Sequence, residues 1–296
     1  MPCQYCPNPV PIDNSHVVSD FVVQWMIQNS PRGQIFFSWE RAGFAHRMIT
    51  GPYLCQQCEQ DSSIFEGEFR QRVFIDPSAA TNEWSTDFAI RFMSSLCYRY
   101  SIHHLFQGYA RNAQEETWLM DFRQRAEAVL RDPTQLGNDL RIYPYAFRPI
   151  TEGICELAPG ANHALACSFG MTIIGAEPPL PMVMIVRIPR ISMIFATGDL
   201  VATGDGDFAN YVAIQRGVAF DPVNANTNFP QVFSQFINRS LGETQSHQRQ
   251  TGRWTMFVDD EDERAHPERM VYQARAWDRQ LELCQNANCG VVQQHG

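Results

Sequence analysis

The chain predicts an α+β protein in two parts, and three observations carry that reading. Trp84, Phe88, Phe92, Leu96 and Tyr100 recur every four residues, and residues 115–131 hold a second helical pattern that Asp132-Pro133 stops. From 140 to 196 the texture turns β-rich, with runs at 141–145, 164–174, 182–188 and 192–196. Two Cys-x-x-Cys pairs, Cys3 with Cys6 and Cys55 with Cys58, mark residues 1–78 as a separate N-terminal unit. Residues 79–296 then form an α+β domain whose function the sequence does not assign.

The elements follow in order. Pro7, Asn8 and Pro9 force a turn after the first cysteine pair. Val17, Val18, Phe21, Val22, Trp25 and Met26 have helical spacing, and Asp13, Asn14 and Ser15 ahead of them are N-cap residue types. Residues 34–50 read as one or two short strands. Leu54-Cys55-Gln56-Gln57-Cys58 opens a helix through 59–74, and Asp76-Pro77 ends the unit. A helix at 83–100 and one at 115–131 come next. Among the strands, 182–188 and 192–196 form a hairpin through Pro189. Residues 197–208 are a glycine- and aspartate-rich loop, 229–241 and 269–283 are helices, and 242–251 between them is polar.

Composition narrows the function. Apolar residues are 44% of the 296, enough for a sizeable core. The net charge of −9 repels phosphate backbones unless one face is basic. All 23 cationic side chains are arginine, which excludes a P-loop lysine, a Schiff-base lysine and a Ser-Lys dyad. The N-terminus has no charged-then-apolar signal pattern. The most apolar stretch, 181–196, contains Arg187, Pro189 and Arg190, so no membrane span is expected. Nine cysteines, an odd number with four in metal-type pairs, point to a reducing, cytoplasmic setting.

Two knuckles of this spacing put four thiolates on the corners of a tetrahedron, so Cys3, Cys6, Cys55 and Cys58 are expected to hold a structural Zn²⁺. Such an ion closes a long loop that a small apolar cluster would not close alone.

The order Cys-x-x-Cys, then Ser15-His16-Val17, then Leu-Cys-x-x-Cys resembles the zinc-containing HNH group, the treble-clef-like ββα-metal proteins. The likeness spans residues 3 to about 75, roughly a quarter of the chain, and is nearest to small bacterial proteins that join such a finger to an α/β domain. It implies a metal-dependent endonuclease acting on DNA or RNA. In that role His16 is the general base for phosphodiester hydrolysis, and Glu59 takes the last ligand position beside Mg²⁺ or Mn²⁺. The sequence departs from the pattern in three places. Ser15 stands where the group has Asp, Ile49-Thr50-Gly51-Pro52-Tyr53 stands where it has Asn, and Glu59 replaces His or Asn. Read on their own, His16 also suits a helix cap or a substitute cysteine ligand, and Glu59 suits the first turn of any helix.

Other features read more simply. His103 and His104 are adjacent on a helix and face different ways, a poor metal pair. Asp199, Asp205 and Asp207 hint at a cation loop but fit a β-turn better. Cys284 and Cys289 with His295 fit a frayed tail, and Cys97, Cys155 and Cys167 fit core thiols. Glu66 and Glu68 read as solvated helix positions, and the acidic run 259–263 as a solvated turn.

Three functions remain. The first is an HNH-like nuclease. The second is a non-catalytic finger that binds nucleic acid through Arg32, Arg41 and Arg47. The third is a zinc-stapled interaction module whose β-rich residues 140–214 bind a protein or small ligand. Residues 1–80 hold five arginines against eight acids, a net of −3, which weakens the second. A basic face from Arg111, Arg123, Arg125, Arg131, Arg141 and Arg148 restores either nucleic-acid reading if those residues converge.

Overall fold

The computed structural model describes residues 2–8, 10–29, 35–37, 43–45, 49–110, 112–138, 140–146, 168–174, 183–198, 211–223 and 225. The expected helices at 229–241 and 269–283, the polar stretch 242–251, the acidic turn and the aspartates of the 197–208 loop lie outside them. So do Cys155, Cys167, Cys284, Cys289, His295, Arg32, Arg41 and Arg47. Helices and strands are both present, as an α+β chain requires.

Strand β1 (Ser15–His16) opens the fold and α1 (Asp20–Asn29) follows. The helix starts later than the apolar spacing suggests. Ser15 and His16 are used in strand pairing, and Val17 extends it by donating its N–H to the Ile49 carbonyl at 3.1 Å. Val17 and Val18 are buried before the helix begins, and two β-branched residues beside a strand favour that extended run. The Ser19 carbonyl accepts the first helical bond, from Val22 N–H at 3.0 Å. Asp13, Asn14 and Ser15 therefore cap nothing, and His16 is not a helix cap.

Strands β2 (Ile35–Phe37), β3 (Gly43–Ala45) and β4 (Thr50–Gly51) come next. β4 pairs antiparallel with β1, Ser15 opposite Gly51 and His16 opposite Thr50. Helix α2 (Gln56–Phe69) runs on as a π-helical segment, Arg70–Phe74, before Asp76-Pro77. Residues 81–85 form turns instead of the expected start of the next helix. Trp84 is the cause: its indole is fully buried edge-on against Phe69 and donates to the Pro77 carbonyl at 3.1 Å. Helix α3 (Asp87–Gln107) is longer than expected and ends at Gly108, whose φ of 66° suits a residue without a Cβ. Helix α4 (Ala113–Arg131) begins at Asn112, whose side chain accepts from Glu115 N–H at 2.9 Å.

The remaining strands are β5 (Arg141–Ala146), β6 (Ser168–Ile174), β7 (Val183–Ile188) and β8 (Ile191–Ala196). They join β2 and β3 in a six-stranded sheet of order β3-β2-β6-β7-β8-β5, antiparallel except for β2 with β6. β7 and β8 form the expected hairpin, turning at Pro189 and Arg190, and every residue of both strands is buried.

Arg190 takes φ 65° in that turn, as the second central residue of a Pro-led type II turn does. Its guanidinium donates to the Phe74 and Ile75 carbonyls and lies 4.9 Å over the Trp25 ring. The hairpin is thereby bolted to the end of the π-helical segment. Burial lowers the Arg190 pKa to about 10. One apolar cluster extends from Cys3 to Phe220. The β2–β6 pairing and the packing of α2 on α3 both link residues on either side of 78. No described helix is long and apolar enough to cross a membrane.

Candidate metal centre

Four sulfurs converge where the N-terminus meets the start of α2. The sulfurs of Cys3, Cys6, Cys55 and Cys58 all lie within 4.8 Å of one another. Cys3 to Cys58 is 3.8 Å and Cys6 to Cys55 is 3.6 Å. A thiolate tetrahedron with metal–sulfur bonds of about 2.3 Å has edges of about 3.8 Å, so the set matches a cage for an ion of zinc's size.

Local chemistry explains the convergence. Cys3 N–H donates to the Asn8 carbonyl at 2.9 Å and closes the first knuckle. Gln4 N–H to the Tyr53 carbonyl at 2.8 Å and Ile12 N–H to the Leu54 carbonyl at 2.9 Å then zip the N-terminal segment against the residues leading into α2. Cys55 stands at the N-cap of α2, where unpaired amides and the helix dipole favour a thiolate. Its own N–H points at the Cys3 sulfur, 3.3 Å away. The Cys58 backbone N–H faces the Cys55 sulfur and brings that thiol down to about 7, while burial pushes the Cys58 thiol up.

Three side chains from α3 and α4 grip the turn between Cys3 and Cys6. The Tyr98 hydroxyl and Arg123, the latter at 3.3 Å, donate to the Gln4 carbonyl. Arg131 donates to the Tyr5 carbonyl and stacks 4.2 Å over the Tyr5 ring. The cysteine cluster is thus docked on the α3–α4 hairpin. Sequence reasoning missed this grip, because nothing in a helical pattern says which carbonyl a surface arginine meets.

The same contacts bear on the basic face that six arginines would form if they converged. Arg111 and Arg148 lie outside the described residues, and Arg141 is on the edge strand β5. Arg123 is turned onto the knuckle. Arg125 pairs with Asp121 at 2.8 Å and Arg131 with Glu127 at 2.7 Å. Among the described residues, these three α4 cations each meet an acid or a carbonyl of their own chain.

Beside the cysteines lies a second, polar corner. His16 is half-buried on β1, and its carbonyl accepts from Arg99 at 3.1 Å. The Ser15 hydroxyl donates to one oxygen of Glu59, while Arg99 lies 3.4 Å from the other. Arg99 also lies 3.1 Å from Glu66. The structure therefore sets Ser15 of β1 against Glu59 and adds Glu66 and Arg99.

Glu66 is a correction, since a solvated position was expected. It stands two turns after Glu59 on the same face of α2, and its side chain is only 14% exposed. Burial raises its carboxyl pKa against the opposing pull of Arg99. Glu68 is exposed and pairs with Arg72, as a solvated residue does. Arg99 had a readable signal. It interrupts the apolar and small run Ser94-Ser95-Leu96-Cys97-Tyr98, and a charge in a helix buried all round must find partners.

His103 and His104 are buried among aromatic rings. Tyr53 Oη lies 2.6 Å from His103 Nδ1, and burial lowers the His103 pKa to about 4. Neither joins a cluster of metal-type ligands among the described residues. Cys97 is a buried core thiol, as expected. A cleft of about 540 Å³ opens beside Cys58, walled by Tyr5, Phe65, Phe88, Tyr98 and Leu130. Comparison with protein-family models, characterised proteins and solved structures gives no match to any of them.

Proposed function

We propose that the chain holds Zn²⁺ through Cys3, Cys6, Cys55 and Cys58, and that this zinc is the staple of a non-catalytic interaction module. The observation that carries the reading is the set of four cysteine sulfurs within 4.8 Å of one another. Four protein ligands leave no position for water or substrate, which is the mark of a structural site as opposed to a hydrolytic one. The zinc clamps the N-terminus to α2 and, through Gln4 and Tyr5, to α3 and α4. Between these elements it frames the aromatic-walled cleft, whose size suits a small ligand or a side chain of a protein partner. Metal analysis of the purified protein tests the zinc, and loss of ligand-dependent stabilisation on filling the cleft with Leu130→Trp tests the cleft.

A second reading, an HNH-like endonuclease acting on DNA or RNA, draws on the pairing of β1 with β4 ahead of α2 and on the Ser15 hydroxyl against Glu59. His16 is its general base and Glu59 its site for Mg²⁺ or Mn²⁺. Incubation of plasmid, single-stranded DNA and RNA with the protein and Mn²⁺, beside His16→Ala, decides it. Cleavage that vanishes in the zinc-loaded variant establishes the enzyme; no cleavage of any substrate leaves the staple.

A further inference from the structure

We infer that Arg99 is the resident cation of the corner formed by Ser15, Glu59 and Glu66, standing where the HNH-like resemblance places a divalent metal. Arg99 comes from α3, beyond the residues that carry the resemblance. Its side chain is 2% exposed, and one guanidinium nitrogen lies 3.4 Å from Glu59 and 3.1 Å from Glu66. The other nitrogen binds the His16 carbonyl. A buried guanidinium keeps its charge, so it must be compensated where it sits, and the two carboxylates do this.

The carboxylates are equally committed. Glu59 takes the Ser15 hydroxyl on one oxygen and Arg99 on the other. Glu66 faces Arg99 at 3.1 Å, and Glu59 is the other carboxylate on that guanidinium nitrogen. A Mg²⁺ or Mn²⁺ ion needs several oxygens at about 2.1 Å, and it cannot share these two acids with a guanidinium in contact with both.

The sequence departure at position 15 fits the same account. An aspartate there would place a third carboxylate against Glu59 and Glu66 with a single arginine to balance them, whereas serine donates a hydrogen bond instead. Arg99 turns the corner into a cross-link that ties β1 and α2 to α3. The carboxylates become a divalent-cation site only when Arg99 is removed.

The inference deepens the staple reading and rests on it for the placement of β1 and α2, so zinc content is measured in every sample and a failure of the cysteine site is seen separately. Mn²⁺ alone is titrated into zinc-loaded protein, with bound Mn²⁺ read by electron paramagnetic resonance and stability by the thermal midpoint. The wild-type protein is expected to bind no Mn²⁺ and to show no shift. Arg99→Ala is expected to have a lower midpoint, to gain a Mn²⁺ site at least about tenfold tighter than any in wild type, and to recover stability as the site fills. Glu66→Gln added to that variant should abolish the gain.

If Arg99→Ala does not fold, the double variant Arg99→Ala/Glu66→Gln is expected to restore folding, because an uncompensated buried carboxylate leaves with the cation. A double variant no better than the single one overturns the pairing. So does Mn²⁺ binding by the wild-type protein that Glu59→Gln removes, and so does a folded Arg99→Ala that keeps its midpoint and gains no Mn²⁺.

Discussion

Acidification should weaken this fold through His103 well before the surface carboxylates titrate. The residue is 7% exposed near the end of α3, its Nδ1 is 2.6 Å from the Tyr53 hydroxyl, and burial lowers its pKa to about 4. An unfolded histidine titrates near 6.5. Because the folded value is the lower one, the unfolded chain takes up the proton first. Stability from neutral His103 is complete above about pH 6.5 and falls as the pH drops toward 4.

Between about pH 8 and pH 5 this linkage costs about 2 kcal/mol, a slope approaching 1.4 kcal/mol per unit in the lower half of the range. Asp76, Asp87 and Asp132 have lowered pKa values, through Ser78, Arg216 and Thr134 respectively. They lose their contribution only below about pH 4, outside the window. Urea unfolding at several pH values, for wild type and for His103→Asn, isolates the effect. The asparagine keeps an acceptor for Tyr53 but does not titrate, and release of metal by acid is common to both proteins. The stability difference between them should shrink by about 2 kcal/mol from pH 8 to pH 5. Parallel pH curves would refute the assignment of a neutral, desolvated His103.

Three further outcomes follow from the packing. A Cβ at Gly51 would overlap the Tyr53 ring inside 3.0 Å, and the bond to His103 holds that ring in place. Gly51→Ala should therefore cost about 1–3 kcal/mol in chemical denaturation, with a neutral result showing that the ring is free to move. Trp84→Ala removes a fully buried indole and its bond to the Pro77 carbonyl, and should cost about 3–5 kcal/mol by the same method. Tyr98→Phe removes one donor to the Gln4 carbonyl. It should cost about 1 kcal/mol, leave metal content unchanged and speed metal transfer to a chelator; an unchanged transfer rate would show that α3 does not hold the knuckle.

Residues whose role depends on near neighbours were the legible ones. The spacing of Cys3, Cys6, Cys55 and Cys58 predicted the cluster, because two cysteines three apart share a turn wherever they stand. Pro189 predicted the β7–β8 hairpin, and Asp132-Pro133 the end of α4, since proline acts on its own backbone. The starts of α1 and α3 were misplaced because tertiary bonds override local spacing. Ser15 and His16 are claimed by β4, and Trp84 is claimed by Phe69 and Pro77.

The polar corner was half legible. Ser15, His16 and Glu59 were linked only through the motif of the two cysteine pairs, since Ser15 and Glu59 are 44 positions apart. Arg99, 40 positions from Glu59, lies outside that motif, and no pattern in the sequence ties it to Glu59. Glu66 looked solvated because a glutamate on a helix gives no sign that a buried arginine from another helix lies opposite.

Metal content decides the four-cysteine centre. Protein purified without chelators, with metal measured by mass spectrometry beside Cys55→Ser, is predicted to carry one zinc per chain. The variant should carry none, with a thermal midpoint lowered by many degrees, since the ion closes the loop between residues 6 and 55 at the start of the fold. A wild-type protein without metal, or a variant with unchanged metal and midpoint, would contradict the four-cysteine centre.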